Sequence, residues 1–254
     1  MNSKNIKFLS PSKAVSMADS WFDVATLDHF WVKRRFEVLR KLLGQGFKPS
    51  GAVAEIGCGH GLVQAQFMNV YCAKVDGYEL NEFALSKSVA VEQPKFIYDI
   101  HERRDELKGK YGLIILFDVI EHIEHEKNFL DAVLFHLAPA GMLAVNVPAL
   151  QFLFSNYDLA AGHVRRYSLR QLICLGKTVG LDFVAGSYWG LPLLPLLAVR
   201  KILLSFMSGE EEVINKGFRP PSLFLNKLLH ILCGFEVVPQ NFLGTSAMCV
   251  FKKV

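Results

Sequence analysis

V-A-E-I-G-C-G-H-G, residues 53–61, is the stretch of the chain that decides its fold. A short apolar run ends at an acidic residue, and glycines follow at every second position, at Gly57, Gly59 and Gly61. Residues 62–70 then have the apolar spacing of a helix. The stretch therefore predicts the first turn between strand and helix in a doubly wound α/β domain, where ligands bind beyond the carboxyl ends of the strands.

The spacing of these glycines excludes two common phosphate-binding turns. The dinucleotide fingerprint G-x-G-x-x-G needs a glycine where the chain has Leu62, and the Gly-Lys-Ser/Thr of a P-loop does not follow. Glycine has no Cβ, so the backbone here can take positive φ and let a ligand lie directly against it. We expect a turn that approaches a ligand closely without being built for a pyrophosphate.

Acidic residues end three further predicted strands, at the edge of the sheet where a ligand would bind. Glu79 lies about 20 residues beyond the glycines, where a carboxylate can accept hydrogen bonds from both ribose hydroxyls. Asp76 is the alternative, but it lies inside the strand. Asp99 ends the next strand, and Asp118 ends the near-continuous apolar run of residues 111–117, which is typical of a strand covered on both faces.

Taken in this order, these features resemble the class I S-adenosylmethionine-dependent methyltransferases, with residues 53–61 similar to that family's first motif. The resemblance implies S-adenosylmethionine as the cofactor. It also implies an α/β, Rossmann-like fold with a doubly wound, seven-stranded, mostly parallel sheet whose last strand is antiparallel. The cofactor contacts that it implies are Glu55, Gly57, Cys58, Gly59, Gly61, Glu79, Leu80, Asp99, Ile100, Phe117 and Asp118, followed by Trp31 and Arg35 on a covering helix.

The rest of the chain predicts helical additions to this core. Residues 30–43 have apolar side chains at helical spacing, so residues 1–46 are predicted to form an N-terminal helical cover. Residues 47–188 and 244–254 form the predicted cofactor-binding core. Residues 189–243 are far too many for the usual hairpin between the last two strands, and we expect a helical cap over the acceptor site there.

The segment S-N-Y-D-L-A-A-G-H-V-R-R-Y-S, residues 155–168, is predicted to contact the acceptor. So many charged and polar groups are costly to bury, and they suit a pocket. Its G-H-x-R-R-Y core also resembles bacterial methyltransferases found with surface-glycan genes. The alternative is that the two arginines tie the segment to the sheet. The predicted acceptor-binding residues are Asp158, Arg165, Arg166 and Tyr167.

Two histidines are candidates for a general base. A hydroxyl acceptor must lose a proton when it is methylated, and imidazole titrates near neutral pH. His163 ranks first because it lies in the predicted acceptor segment, and His122 ranks second. A nitrogen acceptor or an already acidic acceptor would need neither.

A metal site is not predicted. The segment of residues 118–125 resembles the family's fourth motif, and some related quinone-pathway methyltransferases hold a divalent ion with an acidic Glu-His cluster. Such a site would use Asp118, Glu121 and His122. Glu-His pairs are nevertheless common at this position without a metal, and the start of a helix favours carboxylates in any case.

The composition of the chain indicates which classes of partner and which cellular compartment to expect. The 254 residues have a net charge of +4 with no sustained Lys/Arg run, which does not suggest a nucleic-acid partner. Five scattered cysteines without C-x-x-C spacing predict a reduced, cytoplasmic protein. The chain is 51% hydrophobic, and residues 191–207 form an apolar stretch too short to span a bilayer. Three interpretations of that stretch are peripheral contact with the inner face of a membrane, a helix that covers the substrate, and a buried core helix.

The predicted function is methyl transfer to a small-molecule, sugar or lipid-linked acceptor, on oxygen. One alternative is a nucleic-acid or protein methyltransferase of the same fold, although D-V-I-E at residues 118–121 lacks the Asn/Asp-Pro-Pro-aromatic motif of base amino-methylases. A second alternative is a non-catalytic module that only binds the cofactor. The intact set of Glu55, Gly57, Gly59, Glu79 and Asp99 argues against it.

Overall fold

The computed structural model of the chain describes residues 6–13, 22, 25–206, 209, 212–213 and 222–254. The strands are β1 Ile6–Phe8, β2 Ala52–Ile56, β3 Val75–Glu79, β4 Lys95–Ile97, β5 Tyr111–Phe117, β6 Leu137–Pro148, β7 Leu181–Trp189 and β8 Ser246–Lys253. The α-helices are α1 Phe30–Leu43, α2 Leu62–Tyr71, α3 Glu82–Ser86, α4 Glu126–His136, α5 Asn156–Ala160, α6 Leu169–Thr178, α7 Leu194–Leu204 and α8 Leu223–Gly234.

The strands form a single sheet in the order β1-β4-β3-β2-β5-β6-β8-β7. The antiparallel last strand is confirmed, since β8 lies antiparallel between β6 and β7 while the other pairs are parallel. The prediction of seven strands is wrong, because β1 adds an eighth at the edge by pairing in parallel with β4. A three-residue edge strand shows too little alternation of apolar and polar residues to be recognised in a sequence.

The central strand β5 divides the apolar core into two layers. Ile114 and Leu116 belong to the cluster that packs with α4 and α6, whereas Leu113 and Ile115 belong to the cluster that packs with α1 and α2. Successive side chains of a strand point to opposite faces, so a strand that is covered on both sides must be apolar throughout. The sheet therefore carries helices on both faces, as the apolar run predicted.

The N-terminal helix α1 is held against the C-terminal part of the chain. Asn226 on α8 accepts a hydrogen bond from the backbone N–H of Phe30 at 2.8 Å. The buried Arg34 donates to the backbone oxygen of Glu236 at 3.0 Å. The Glu236 carboxylate in turn accepts the backbone N–H groups of Gly190 and Leu191, at 2.9 and 2.8 Å. The start of α1, the end of α8 and the turn after β7 are thus joined by buried polar contacts.

The division into cover, core and cap stays a prediction, with one correction. The sequence predicts a helical cover over residues 1–46, but Ile6–Phe8 is a strand of the sheet. Residues 1–5, 14–21 and 23–24 of that region lie outside the described part of the chain, as do 207–208, 210–211 and 214–221 in the predicted cap.

The surface of α7 is unusually apolar. Leu204 is its buried residue, while Leu196, Val199, Ile202 and Leu203 are exposed. The interpretation of this stretch as a buried core helix is therefore wrong. No helix within the described residues has the length and apolar character needed to cross a membrane.

Candidate active site

A cavity of about 360 Å³ opens at the carboxyl ends of β2, β3, β4 and β5. It lies where the sequence predicts a ligand, because parallel strands present their carboxyl ends at one edge of a sheet. The predicted cofactor residues that line it are Arg35, Glu55, Gly57, Cys58, Gly59, Glu79, Leu80, Asp99, Ile100, Phe117 and Asp118.

Two residues of the predicted set lie outside this lining. Gly61 is the left-handed residue that precedes α2, with φ +81°, and a Cβ there would lie 3.0 Å from the side chains of Ala90, Gln64 and Ser88. The ring of Trp31 packs against Trp189, with 5.6 Å between ring centroids. Gly61 thus shapes the turn, and Trp31 lies behind the cavity wall.

The glycine turn is packed tightly against the loop that follows β5. Gly57 has φ +74°, and a Cβ on it would lie 2.5 Å from Cγ2 of Val119. The backbone N–H groups of Gly57 and Cys58 both donate to the backbone oxygen of Tyr78, at 2.8 and 3.1 Å. The backbone itself forms the floor of the cavity at this point, and no larger side chain fits at Gly57.

Glu79 is fixed in place by backbone donors. Its Oε2 accepts the N–H of Gly59 at 2.8 Å, and its Oε1 accepts those of Leu80 and Asn81 at 2.8 and 3.1 Å. Burial raises the pKa of Glu79, and these three hydrogen bonds oppose the rise. Because a carboxylate offers about four acceptor positions, Glu79 can still accept a hydrogen bond from a ligand hydroxyl.

Asp76, the alternative carboxylate on the same strand, is hydrogen-bonded to other side chains. Its Oδ2 accepts hydrogen bonds from Nζ of Lys110 and from the hydroxyl of Tyr111, both at 2.8 Å. The cavity lining includes Glu79 and does not include Asp76. The geometry thus favours Glu79 as the carboxylate that meets a ligand.

Asp99, at the end of β4, pairs with Lys13 at 2.5 Å. Its Oδ1 also accepts the backbone N–H of His101 at 3.0 Å. Burial alone would raise the pKa of Asp99, but the hydrogen bonds from Lys13 and His101 lower it below its usual value. Lys13 itself lines the cavity, so the segment next to β1 contributes a cation to this end of the site.

Four residues from different elements form a polar chain at the carboxyl ends of β5, β6 and β7. Arg35 on α1 forms a short ion pair with Asp118 Oδ2, and Asn146 donates to Asp118 Oδ1 at 2.8 Å. The indole N–H of Trp189 donates to Asn146 Oδ1 at 2.8 Å. Burial raises the pKa of Asp118, and the charge of Arg35 opposes the rise. Asp118 is held with φ +56°, which turns the chain sharply as it leaves the strand.

Glu55 places a second buried carboxylate in the wall of the cavity. It is 3% exposed, and its Oε2 has no hydrogen-bond partner among the described residues. Burial raises its pKa well above the usual value, while the positive charge of Arg35 acts in the opposite direction. This oxygen is available to a polar or cationic ligand group.

The two candidate bases lie side by side but meet the cavity differently. Their ring centroids are 4.8 Å apart. His122 lines the cavity, whereas His163 is not part of the lining. His122 Nδ1 donates to the backbone oxygen of Gly162 at 3.1 Å, and His163 Nδ1 lies 2.9 Å from Asp158 Oδ1. Burial, followed by the charge of His163, lowers the pKa of His122 to about 4.

The metal-site alternative of Asp118, Glu121 and His122 is not assembled. Asp118 is engaged by Arg35 and Asn146, as described above. Within the described residues, the group whose ligand atoms all lie within 4.8 Å of one another is instead Glu121, His122 and His163. Residues 120–122 form a single 3-10 turn, which carries two members of this group, Glu121 and His122.

The predicted acceptor-binding residues are paired with other protein groups. Arg166 donates to both oxygens of Asp158, from Nε at 2.8 Å and from Nη2 at 3.0 Å. Arg165 forms a short ion pair with Glu126, and the Tyr167 hydroxyl donates to the same carboxylate at 3.0 Å. The cavity lining includes none of the four predicted residues. These contacts favour the alternative that the arginines tie the segment to the sheet, and acceptor contact stays a prediction.

Part of the site was not predicted from the sequence. Asn146 is the polar residue in the otherwise apolar run M-L-A-V-N-V-P, residues 142–148, and that exception could have indicated a buried hydrogen bond. Trp189 and Lys13 gave no such signal, because their hydrogen-bond partners, Asn146 and Asp99, are far away in the sequence. Besides Lys13, the residues of the cavity lining that were missed are Phe22, Ile56, His60, Leu62, Tyr78, Asn81, Tyr98, His101, Val119, Ile123 and Phe129.

Comparisons with known proteins agree with this geometry. A family model described as a methyltransferase domain matches residues 27–185. A comparison with curated proteins gave no match. Among solved structures, an S-adenosylmethionine-dependent methyltransferase from Archaeoglobus fulgidus is 14% identical, with 87% of this chain and 94% of that chain covered and a TM-score of 0.56.

Two further solved structures have a similar fold. Phosphoethanolamine N-methyltransferase 2 of Haemonchus contortus, in complex with S-adenosylmethionine, is 16% identical over 89% of this chain and 56% of that chain, with a TM-score of 0.57. An S-adenosylmethionine-dependent methyltransferase from Thermotoga maritima is 16% identical over 89% and 93%, with a TM-score of 0.52. At these identities the likeness concerns the fold alone.

The packing of Val119 on Gly57 can be tested by Gly57→Ala. We expect the free energy of unfolding to fall by about 1–3 kcal/mol more than in Gly46→Ala, because overpacking costs about this much. Gly46 has a similar φ of +79° but open space around its Cα, so its variant measures the backbone cost alone. Urea denaturation gives both values. Equal losses in the two variants would refute the close contact, and Val119→Ala should recover part of the loss in Gly57→Ala.

Proposed function

Because the chain belongs to the class I S-adenosylmethionine-dependent methyltransferases, we propose that it transfers the methyl group to a small-molecule, sugar or lipid-linked acceptor, on oxygen. The observation that carries the proposal is the cavity, where the glycine turn, Glu79 and Asp99 come together at the carboxyl edge of the sheet. The G-H-x-R-R-Y segment supports a place in the bacterial glycan-associated group.

The residues of the cavity fit the cofactor. Gly57 leaves the backbone bare where a Cβ would fill the turn, and Glu55 keeps an oxygen without a partner among the described residues. Glu79 would hold the ribose hydroxyls, while Asp99 and Ile100 would hold the adenine. S-adenosylmethionine, when bound, supplies a methyl group that is already activated on a sulfonium, so the protein has mainly to orient the acceptor and exclude water.

The electrostatics of the cavity are also suited to a cationic ligand. Glu55 and Asp118 are both buried and share the positive charge of Arg35. Burial raises the pKa of both carboxyl groups, so their charged forms are not fully compensated inside the protein, and a ligand that carries a positive charge would stabilise those charged forms. A sulfonium group meets that condition.

A proton acceptor completes the proposal for a hydroxyl substrate. His122 lines the cavity, and His163 lies behind it with Nδ1 on the buried Asp158. We assign the proton transfer to this pair, with His163 as the first candidate from the sequence and His122 as the residue nearer to the cavity. Asp158, Arg165, Arg166 and Tyr167 would shape the same side of the site around the acceptor.

We expect Glu79→Gln to weaken binding of S-adenosylmethionine and S-adenosylhomocysteine about 10- to 100-fold, since a hydrogen bond to a charged group contributes about 1.5–3 kcal/mol. Calorimetric titration measures both affinities, with NAD as a third ligand that should not bind. Asp76→Asn, on the same strand but outside the cavity lining, is the matched control and should bind like the unchanged protein. Failure of the unchanged protein to bind either compound would overturn the proposed function.

His163→Ala should lower the turnover number by about 100-fold on a hydroxyl acceptor, which is the usual contribution of a general base. The affinity for S-adenosylhomocysteine should not change. Acceptors are found by screening nucleotide-linked and lipid-linked sugars for transfer of a labelled methyl group. Loss of cofactor affinity in the variant, or unchanged turnover, would remove His163 from the catalytic role.

We also propose that α7 contacts the surface of a membrane, which suits a lipid-linked acceptor. Ile202 and Leu203 are 62% and 61% exposed, and Phe206 is 84% exposed directly after the helix. Lys201 adds a positive charge to the same helix, and positive charge attracts anionic lipids. An exposed apolar surface next to basic side chains is typical of interfacial helices.

Ile202→Glu should reduce co-sedimentation with vesicles of phosphatidylglycerol and phosphatidylcholine several-fold, because a charged side chain is not buried in the acyl region. Val91→Glu introduces the same change at a side chain that is 59% exposed and lies before β4, away from this helix. This control should sediment like the unchanged protein. Equal sedimentation of both variants would contradict the membrane contact of α7.

A further inference from the structure

We propose that Glu121, His122 and His163 bind one divalent transition-metal ion, of which zinc fits best. One ligand atom from each of the three lies within 4.8 Å of the others. Glu121 and His122 come from the 3-10 turn after β5, and His163 comes from the loop after α5, more than forty residues later. The inference goes beyond the proposed methyl transfer and does not depend on it.

The first observation is a buried carboxylate without a partner. Glu121 is completely buried, and neither of its oxygens has a hydrogen-bond partner among the described residues. The same holds for Nε2 of His122, and His163 Nε2 is 4.0 Å from Glu121 Oε1, which is too long for a hydrogen bond. A buried carboxylate is costly unless a proton or a cation neutralises it, so these atoms form an incomplete polar group.

The second observation concerns the other nitrogen of each imidazole. Nδ1 of His122 donates to the backbone oxygen of Gly162, and Nδ1 of His163 lies 2.9 Å from Asp158 Oδ1. Asp158 is itself held by two hydrogen bonds from Arg166. Histidines that ligate metals almost always donate their second ring N–H to a carbonyl or a carboxylate, which fixes the tautomer. Both Nε2 lone pairs are thereby left for a ligand.

The donor set indicates the kind of ion. Two imidazole nitrogens and one carboxylate oxygen are a common set for zinc, with further positions open to water or substrate. Neighbouring ligands of a tetrahedral zinc ion are separated by about 3.4 Å, so the three side chains would close by about 1 Å around the ion. Because His122 also lines the cavity, the ion would lie in the wall of the proposed active site.

The metal-bound state would change the roles of the two histidines. An Nε2 atom that ligates a metal has no lone pair with which to accept a proton. Bound zinc could instead lower the pKa of a hydroxyl or water that occupies an open position. The base role and the ligand role are therefore alternatives for the same two atoms.

The test uses the full chain without a histidine tag, stripped with a chelator and shown to fold by a cooperative thermal transition. Zn²⁺ is titrated by calorimetry, and Co²⁺ is followed by its visible absorption. We expect one ion per chain with a dissociation constant in the micromolar range or below. Glu121→Gln, which keeps the shape of the side chain, should weaken Zn²⁺ binding by at least about 100-fold, and His122→Gln should do the same if Glu121→Gln does not fold.

The chain offers a matched control in its next Glu-His pair. Glu124 and His125 have the same residue types in the same order, but they are exposed and lie outside the cluster. Glu124→Gln combined with His125→Ala should retain the full Zn²⁺ affinity. Loss of binding in this control equal to that in Glu121→Gln would show an exposed, non-specific site and overturn the proposal.

Titration with S-adenosylhomocysteine on the same samples separates this inference from the proposed function. A protein that binds S-adenosylhomocysteine but neither Zn²⁺ nor Co²⁺ overturns the metal site alone. A protein that binds Zn²⁺ but no S-adenosylhomocysteine overturns the cofactor role alone. Unchanged Zn²⁺ affinity in both Glu121→Gln and His122→Gln would also overturn the assignment of the ligands.

Discussion

The ion pair between Arg35 and Asp118 connects the N-terminal helix to the carboxyl end of the central strand. Both side chains are largely buried, so each needs the other, since a buried charge without its partner is costly. Asn146 and Trp189 extend the pair across two more strands. With Asp118 held in this way, Val119 meets Gly57, and the next turn carries Glu121 and His122, of which His122 lines the cavity.

The parts of the fold that the sequence predicted well are those with local or periodic signals. The strand Tyr111–Phe117 has the bounds that its continuous apolar run predicts, because both of its faces are covered. The presence of Glu79 in the cavity lining, from which Asp76 is absent, followed from its place at the end of a strand. Strand β1 could not be predicted, since its three residues are defined by pairing with β4, almost ninety residues later.

The lining of the cavity was largely predictable at the ends of the strands, whereas the partners of residues 155–168 were not. The glycine turn and the strand ends act through backbone positions, which a sequence pattern specifies directly. The role of the charged residues in the segment 155–168 depends on which side chains they pair with, and a sequence pattern does not reveal those pairs. Asp158 and Arg166 were both recognised as unusual, yet their two hydrogen bonds to one another place them in the support of His163 rather than in the lining of the cavity.

The contacts of α1 with the C-terminal region limit when α1 can reach its final position as the chain is synthesised. Arg34 and Glu236 are 202 residues apart in sequence, and Phe30 and Asn226 are 196 apart. Contacts of such separation form late, because the closure of a long loop must precede them. On the ribosome, α1 would have to wait for almost the whole chain to emerge before it reached these partners. We therefore expect the wall that carries Arg35 to close last, over a sheet whose central strands are already paired.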